Sequence, residues 1–231
     1  MKNQSTDAIC LNDVHLTLNA QGGPVHILRD VSFEAKSGQA IGVIGPSGSG
    51  KTSLLMVMAG LEPVTSGQIN VANLNLTQMS ESSLSKFRRE NIGIIFQSFH
   101  LIPTLTAREN VSLPLEFRGV KDAIARAEVA LERVGLSHRP LHYPGQLSGG
   151  EQQRVAIARA VASGAKILLA DEPTGNLDQE TGGKIIDLLF ELQEKDGATL
   201  LLVTHDINLA NRCNRILNVR DGKISEQAKR K

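Results

Sequence analysis

The chain has 231 residues, of which 41% are hydrophobic and 21% charged, the composition of an ordinary globular protein rather than a disordered one. Its 25 lysine and arginine residues nearly balance 24 aspartate and glutamate residues, so the net charge of +1 gives no support for a nucleic-acid partner. No apolar run is long enough to cross a bilayer, and the N-terminus lacks the apolar segment of a secretory signal. We therefore expect a cytoplasmic protein that does not itself span a membrane.

The first part of the chain predicts antiparallel strands. Apolar and polar residues alternate over Ile9 to Leu18 and over Val31 to Ala35, as in strands with one buried face. The run Gly67 to Val71 indicates a further short strand. We expect these segments to form a small N-terminal antiparallel β-subdomain around a glycine-rich loop that begins at Gly45.

Three short apolar runs predict buried parallel strands. They are Ala40 to Ile44, Lys166 to Ala170, and Thr199 to Val203. Each run ends in polar residues: the loop at Gly45, the pair Asp171 and Glu172, and the pair Thr204 and His205. Ligands of open α/β sheets bind beyond the carboxyl ends of the strands, so the three runs are expected to converge on one site.

Between about residue 98 and about residue 160 the pattern becomes helical. Over Asp122 to Val134, apolar and alanine residues recur at helical spacing with charged residues between them. Prolines at positions 103, 114, 140 and 144 punctuate the region. We expect one α/β domain over residues 1–231, with a mostly parallel sheet and this helical subdomain inserted between two core strands.

The glycine-rich loop matches the phosphate-loop pattern G-x-x-x-x-G-K-[ST]. The matching residues are Gly45, Pro46, Ser47, Gly48, Ser49, Gly50, Lys51 and Thr52. An apolar strand precedes the loop and a helical pattern over Ser53 to Ala59 follows it, which argues against a flexible turn. Backbone N–H groups and the positive end of the helix would face the phosphates of ATP across Gly45 to Ser53. Lys51 would reach the β- and γ-phosphates, and the Thr52 hydroxyl would bind Mg²⁺.

The acidic pair follows a buried strand. Asp171 would hold Mg²⁺ through its waters, and Glu172 could accept a proton from an attacking water. The alternative is a plain turn or helix cap, since Pro173 follows.

The segment Leu147 to Arg154, LSGGEQQR, precedes another helical pattern. Ser148 and Glu151 predict a capping box, so one interpretation is simply a well-capped helix start. The same geometry also suits an anion. A second phosphate-binding helix start beside a single phosphate loop suggests a second nucleotide, shared with another copy of the domain.

This segment resembles the signature of ATP-binding cassette (ABC) ATPases. The other motifs stand in that family's order: the phosphate loop at Gly45, Gln97, the signature, Asp171 and Glu172, the D-loop Gly175 to Asp178, and His205. The resemblance implies a P-loop NTPase core and a head-to-tail homodimer that holds two Mg-ATP between its subunits.

The resemblance also implies a role for each motif. Gln97 would contact Mg²⁺ and the attacking water, and would couple to a membrane partner. Glu172 would be the catalytic base, and His205 would contact the γ-phosphate. Ser148, Gly149 and Gly150 would bind the ATP held by the other subunit, and Asp178 would link the two sites. Taken alone, His205 could be an ordinary strand-end histidine and Asp178 a helix cap.

The stretches Phe96 to Leu105 and Gly149 to Val155 resemble the branch that contains the LolD, MacB and YbbA ATPases. That branch implies a subunit on the inner face of the cell membrane that drives an integral-membrane permease of the FtsX/MacB type. Such a subunit would power the export of lipoproteins, peptides or drugs, or would transmit force across the membrane. Two alternatives are a soluble ABC ATPase acting on ribosomes or DNA and a regulatory one that scarcely hydrolyses ATP. The single phosphate loop disfavours the first, and intact Glu172 and His205 disfavour the second.

One residue departs from the family pattern. Leu18 stands where relatives carry an aromatic residue that stacks on adenine, so weaker adenine selectivity is expected. The histidines at positions 15, 26, 100, 138 and 142 have no partner spacing, and no chemistry is assigned to them.

Overall fold

The computed structural model describes residues 7–227. Its strands are β1 (Asp7–Ala20), β2 (Gly23–Lys36), β3 (Ala40–Ile44), β4 (Ser66–Val71), β5 (Leu74–Asn75), β6 (Ile92–Phe96), β7 (Ile167–Asp171), β8 (Thr199–Val203), β9 (Arg215–Arg220) and β10 (Lys223–Gln227). Its α-helices are α1 (Lys51–Met58), α2 (Glu81–Asn91), α3 (Ala107–Phe117), α4 (Ala123–Arg133), α5 (Gly149–Val161), α6 (Gln179–Asp196) and α7 (Ile207–Arg212). Within residues 7–227, no helix has both the length and the hydropathy that crossing a bilayer requires. The first six residues, on which the expectation about a secretory signal partly rests, lie outside the described residues.

The chain divides into two compact units. Among the described residues, unit 1 comprises residues 7–88 and 197–227, and unit 2 comprises residues 89–196. Unit 1 therefore carries β1 to β5, α1, β8 to β10 and α7. Unit 2 carries β6, β7 and α3 to α6, and the boundary at residue 88 falls inside α2.

The predicted antiparallel strands are confirmed in unit 1, where they form a sheet in the order β2-β1-β4-β5. Ile9 faces Ala35, and Leu11 faces Phe33, across the β1–β2 pair. All four side chains are buried, as the alternation of apolar residues requires. The register shifts between Leu11 and Val14, so this pair of strands contains a bulge or irregularity.

The second group of strands in unit 1 runs in the order β10-β9-β3-β8. β3 pairs in parallel with both β8 and β9, and β10 pairs antiparallel with β9. β3 and β8 have the predicted bounds, and both are almost entirely buried. A parallel strand buried on both faces needs an unbroken apolar run, which is why both strands were visible in the sequence.

Unit 2 is built on β6 and β7, which pair in parallel with Phe96 opposite Asp171. β7 begins and ends one residue later than the predicted run. The helices α3, α4 and α5 lie between these strands in the sequence, and each turns a buried apolar face inward, as Leu115, Leu131 and Ile157 do. Pro114 does not end a helix but lies inside α3, whose buried residues Val111 and Leu115 flank it.

Candidate functional site

The phosphate loop begins where β3 ends, and its first glycine is required by both space and backbone conformation. Gly45 has a φ of 152°, and a Cβ there would lie 2.1 Å from the carbonyl oxygen of Val219. At Gly50 the φ is 103°, and a Cβ would lie 2.9 Å from the carbonyl oxygen of Ile27. The loop is thus pressed against the backbones of β9 and β2, and larger residues would displace it.

The helix that follows the loop has an open N-terminus. Its N-cap is Gly50, which has no side chain to accept the first amide hydrogens, and α1 begins at Lys51. Thr52 and Ser53 are the next two residues of this helix, and the Thr52 side chain is exposed. Backbone N–H groups and the positive end of the helix dipole at this point suit a phosphate.

Lys51 turns its charge back over the loop. The residue is only 8% exposed, and Nζ donates hydrogen bonds to the carbonyl oxygens of Gly45 at 2.9 Å and Pro46 at 2.8 Å. The Ser49 hydroxyl is buried and has no hydrogen-bond partner among residues 7–227. A buried polar group without a partner is costly, and a bound anion would supply one. Together these donors fit the phosphate chain of a nucleotide.

His205 lies at the same edge of the sheet as the phosphate loop. The Thr204 amide donates to the carbonyl oxygen of Val43 at 3.1 Å, which ties the end of β8 to the end of β3. His205 follows with an exposed side chain, and Asp206 then caps α7. For β3 and β8, the expected meeting of two strand ends is confirmed within unit 1.

In unit 2 the acidic pair and Gln97 also follow adjacent strand ends. Asp171 is the last residue of β7 and Phe96 the last of β6, so Glu172 and Gln97 come next on neighbouring strands. Glu172 has a φ of 45°, in the left-handed region that few non-glycine residues adopt. Such a conformation costs an L-residue about 1–2 kcal/mol and is concentrated at functional sites.

The D-loop contacts Gln97 directly. The Asn176 amide nitrogen donates to the Gln97 carbonyl oxygen at 2.9 Å, and Gln97 Nε2 donates to Asn176 Oδ1 at 3.3 Å. Just beyond Gln97, the guanidinium of Arg159 on α5 donates to the carbonyl oxygens of Phe99 and His100 at 2.8 and 2.6 Å. Gln97 and the residues after it are therefore held from two sides, and the sequence did not reveal either contact.

The predicted capping box at the signature is confirmed. Ser148 Oγ accepts from the Glu151 amide at 3.3 Å, and the Ser148 amide donates to Glu151 Oε2 at 2.9 Å. The backbone N–H of Ser148 is the main reason that the pKa of Glu151 lies below its usual range. Ser148 therefore already fulfils the capping role, and its hydroxyl stands at the start of α5 where an anion would also bind.

The two signature glycines lie close to side chains of the D-loop and of α6, and Gly150 has the less space of the two. A Cβ at Gly150 would lie 2.5 Å from Cγ2 of Thr181, and one at Gly149 would lie 3.3 Å from Cδ2 of Leu177. Thr181 belongs to the first turn of α6, which Asp178 precedes and caps by accepting from the Thr181 amide at 2.9 Å. That hydrogen bond is also the main cause of the lowered pKa of Asp178. The signature and the D-loop thus form one packed element.

Two features of unit 1 differ from expectation or extend it. His15 was assigned no partner, but its Nε2 lies 3.3 Å from Asp13 Oδ1 and 3.2 Å from Asp30 Oδ1. Both aspartates have positive φ, so irregular backbone brings the three together, and residue spacing could not show this.

Leu18 lies opposite Val25 in the β1–β2 pair, and both side chains are exposed. The position of the missing aromatic residue is therefore an aliphatic surface.

The comparisons with known proteins agree with these features. The sequence profile of the ABC transporter family matches residues 28–175. The chain is 48% identical over 221 residues to YbbA, an uncharacterized ABC transporter ATP-binding protein of Escherichia coli (strain K12), a match that covers 94% of this chain and 97% of YbbA. It is 42% identical over 228 residues to the lipoprotein-releasing system ATP-binding protein LolD of Shewanella denitrificans, with 98% of each chain covered.

A solved structure is similar over nearly the same length. The dimeric post-hydrolysis structure of the ATP-binding cassette MJ0796 of Methanocaldococcus jannaschii, bound to ADP and Pi, matches with a TM-score of 0.88 and 41% identity. The match covers 96% of this chain and 99% of that one. The expected mostly parallel α/β fold with an antiparallel β-subdomain is confirmed, as is the branch of the resemblance.

Proposed function

Since the chain belongs to the ATP-binding subunits of the ABC transporter family, we propose that its ATPase activity drives an integral-membrane permease of the FtsX/MacB type. The observation that carries this proposal is that every predicted motif lies at a strand end or a helix start that suits its role. LolD, similar over almost its whole length, is named as part of a lipoprotein-releasing system, which favours export over import. ATP hydrolysis by this chain would then drive the transport of lipoproteins, peptides or drugs, or the transmission of force.

The proposed handling of ATP follows from the donors in each unit. In unit 1, the Lys51 ammonium, the Ser49 hydroxyl and the amides at the start of α1 bind the phosphates. Thr52, Gln97 and Asp171 carry oxygen atoms of the kind that would hold Mg²⁺, and the metal would neutralise phosphate charge there. In unit 2, Glu172 accepts the proton of the attacking water as a general base. His205, which belongs to unit 1, stabilises the charge that develops on the γ-phosphate.

The signature is proposed to act on a second subunit. Ser148, Gly149 and Gly150 offer a hydroxyl and backbone amides at the start of α5, and Asp178 lies beside them through α6. A head-to-tail homodimer would bring these groups to the ATP bound by the phosphate loop of the partner. The similar cassette MJ0796 was solved as a dimer, which supports this arrangement.

A surface of unit 2 suits a permease segment. Three exposed apolar side chains flank the start of α3: Ile102 (40% exposed), Leu141 (60%) and Tyr143 (47%). We name them the α3 rim. Asn110 fixes Ile102 by accepting from its amide at 2.7 Å, and the His142 carbonyl accepts from the Ala107 amide at 2.8 Å. Exposed apolar side chains on a fixed backbone suit the apolar face of a helix from a membrane partner.

Affinity purification from detergent-solubilised membranes tests the proposed partner. The wild-type chain should retain an FtsX/MacB-type permease, and a Leu141→Glu/Tyr143→Glu variant should lose it while keeping its basal ATPase rate. A Phe117→Glu variant is the matched control, because Phe117 is exposed on α3 outside the α3 rim. Ribosomes or DNA in place of a permease would establish the soluble alternative. A permease that binds without any change in ATP turnover would favour the regulatory one.

A further inference from the structure

A single side chain of the D-loop, that of Asn176, makes two hydrogen bonds to Gln97. Asn176 Nδ2 donates to the Gln97 carbonyl oxygen at 2.9 Å, while Asn176 Oδ1 accepts from Gln97 Nε2 at 3.3 Å. The first bond fixes the backbone of Gln97 and the second fixes its side chain. Only a carboxamide offers a donor and an acceptor at these two points, because a carboxylate would supply acceptors alone.

Gly175 provides the space in which the Gln97 side chain lies. A Cβ at residue 175 would be 2.6 Å from Gln97 Nε2, 2.9 Å from Cδ and 3.1 Å from Cγ. Gly175 is not among the glycines with positive φ, so its backbone does not require glycine. The absence of a side chain at residue 175 therefore serves the position of Gln97, not the shape of the turn.

The same turn connects Gln97 to the other motifs of unit 2. The Gly175 amide donates to the carbonyl oxygen of Glu172 at 2.9 Å, so the turn begins at the proposed base. On its other side, Leu177 packs against Gly149 of the signature. A displacement of Gln97 would move Asn176 with it, and the D-loop would carry that displacement toward Glu172 and the signature.

We propose that Asn176 is a positioning residue that locks Gln97 to the D-loop, with Gly175 as the seat for its side chain. We name this arrangement the Gln97 clamp. It rests on the proposed role of Gln97 at the Mg²⁺ and the attacking water. Without a permease, the Gln97 clamp fixes the position of Gln97. When a permease displaces Gln97, the clamp passes that displacement to the D-loop and the signature.

Three substitutions at two positions test the clamp. Asn176→Ala removes both hydrogen bonds. Asn176→Asp keeps the acceptor for Gln97 Nε2 but loses the donor to the Gln97 carbonyl. Gly175→Ala leaves Asn176 intact and pushes the Gln97 side chain aside. The control is Gly183→Ala on α6, because a Cβ at Gly183 meets nothing within 4 Å.

The full-length purified protein is assayed for kcat and KM with Mg-ATP, and its thermal unfolding is followed in parallel. Asn176→Ala and Gly175→Ala should each lower kcat by about 5- to 20-fold, the rate equivalent of one or two neutral hydrogen bonds. Asn176→Asp should lose at least as much as Asn176→Ala, because a carboxylate oxygen would then face the Gln97 carbonyl oxygen. KM should change by less than about twofold, since Gln97 acts on the attacking water, and Gly183→Ala should match the wild type.

A double variant separates the clamp from the role of Gln97 itself. Gln97→Ala/Asn176→Ala should be no slower than Gln97→Ala, because Asn176 acts only through Gln97. A wild-type kcat for Asn176→Ala, beside a clear loss for Gln97→Ala, would overturn the clamp and leave the proposed function standing. A wild-type kcat for Gln97→Ala would instead refute the proposed role of Gln97. Losses that multiply in the double variant would show that Asn176 acts independently and would also overturn the clamp.

Discussion

Glu172 combines the proposed catalytic base with a strained backbone, and substitutions can separate the two properties. Its φ of 45° lies in the left-handed region, where an L-residue is disfavoured by about 1–2 kcal/mol and glycine is not. Glu172→Ala and Glu172→Gly both remove the carboxylate, so the loss of that group does not distinguish them, whereas the backbone preference does. Glycine also carries a cost of about 0.4–1 kcal/mol through the greater entropy of the unfolded chain.

The backbone strain and the unfolded-chain entropy together predict that the glycine variant is more stable than the alanine variant, the reverse of the usual order. At residue 172, the glycine variant should be more stable than the alanine variant by about 0.8 kcal/mol, the difference between the middle values of the strain and of the unfolded-state cost. For a chain of this size that difference corresponds to about 1–4 °C in Tm. Urea denaturation of both variants measures the free energy of unfolding directly.

Gly183 is the reference position, where alanine should be more stable than glycine as in an ordinary helix. It lies within α6 at a position where a Cβ meets nothing, so Gly183→Ala should raise stability by about 0.5–1 kcal/mol. An alanine variant at residue 172 that equals or exceeds the glycine variant would refute the strain argument.

The isosteric substitution Glu172→Gln tests the carboxylate of Glu172 as the catalytic base. Glu172→Gln keeps the shape and the backbone strain but cannot accept a proton, so hydrolysis should slow by about 10²–10⁴-fold while ATP binding persists. Gel filtration with ATP should then show a trapped dimer. Wild-type turnover by this variant would remove Glu172 from the role of base.

Three further predictions concern the phosphate loop, the adenine surface and the signature cap. Lys51→Ala should weaken ATP binding by about 10- to 100-fold in calorimetry, the value of a charge-assisted hydrogen bond, and unchanged affinity would contradict its proposed phosphate contact. Leu18→Tyr should strengthen ATP binding and the preference for ATP over GTP by up to about 1–3 kcal/mol; if both stay the same, the aliphatic surface is not the adenine site. The cap of α5 depends on pH because the pKa of Glu151 is lowered in the folded state from its ordinary value of 4.5. Its stabilisation is present above that value and is lost as the pH falls through the folded pKa, so the stability difference between wild type and Glu151→Ala should shrink in urea denaturation between pH 6 and pH 3; a constant difference would refute this.

Local patterns in the sequence were sufficient for the elements whose sequence matched a single period or motif. β3 and β8 are buried on both faces, and their apolar runs predicted their bounds to the residue. The capping box of Ser148 and Glu151 spans one helical turn, so its residues alone determine it. The phosphate loop likewise carries its glycines and Lys51 within one short segment, because the loop wraps around its ligand with its own backbone.

Only the tertiary structure decided the features that depend on distant residues. Gln97 and Asn176 are 79 positions apart, and nothing in either local sequence shows that they bond. His15 meets Asp30 through irregular backbone on two strands, so spacing along the chain misses the contact. Gly175 looks like an ordinary turn glycine until the Gln97 side chain is seen in the space above it. Periodicity and motif spacing report contacts within a turn or a strand, whereas these arrangements arise from packing between elements, and packing exists only once the chain has folded.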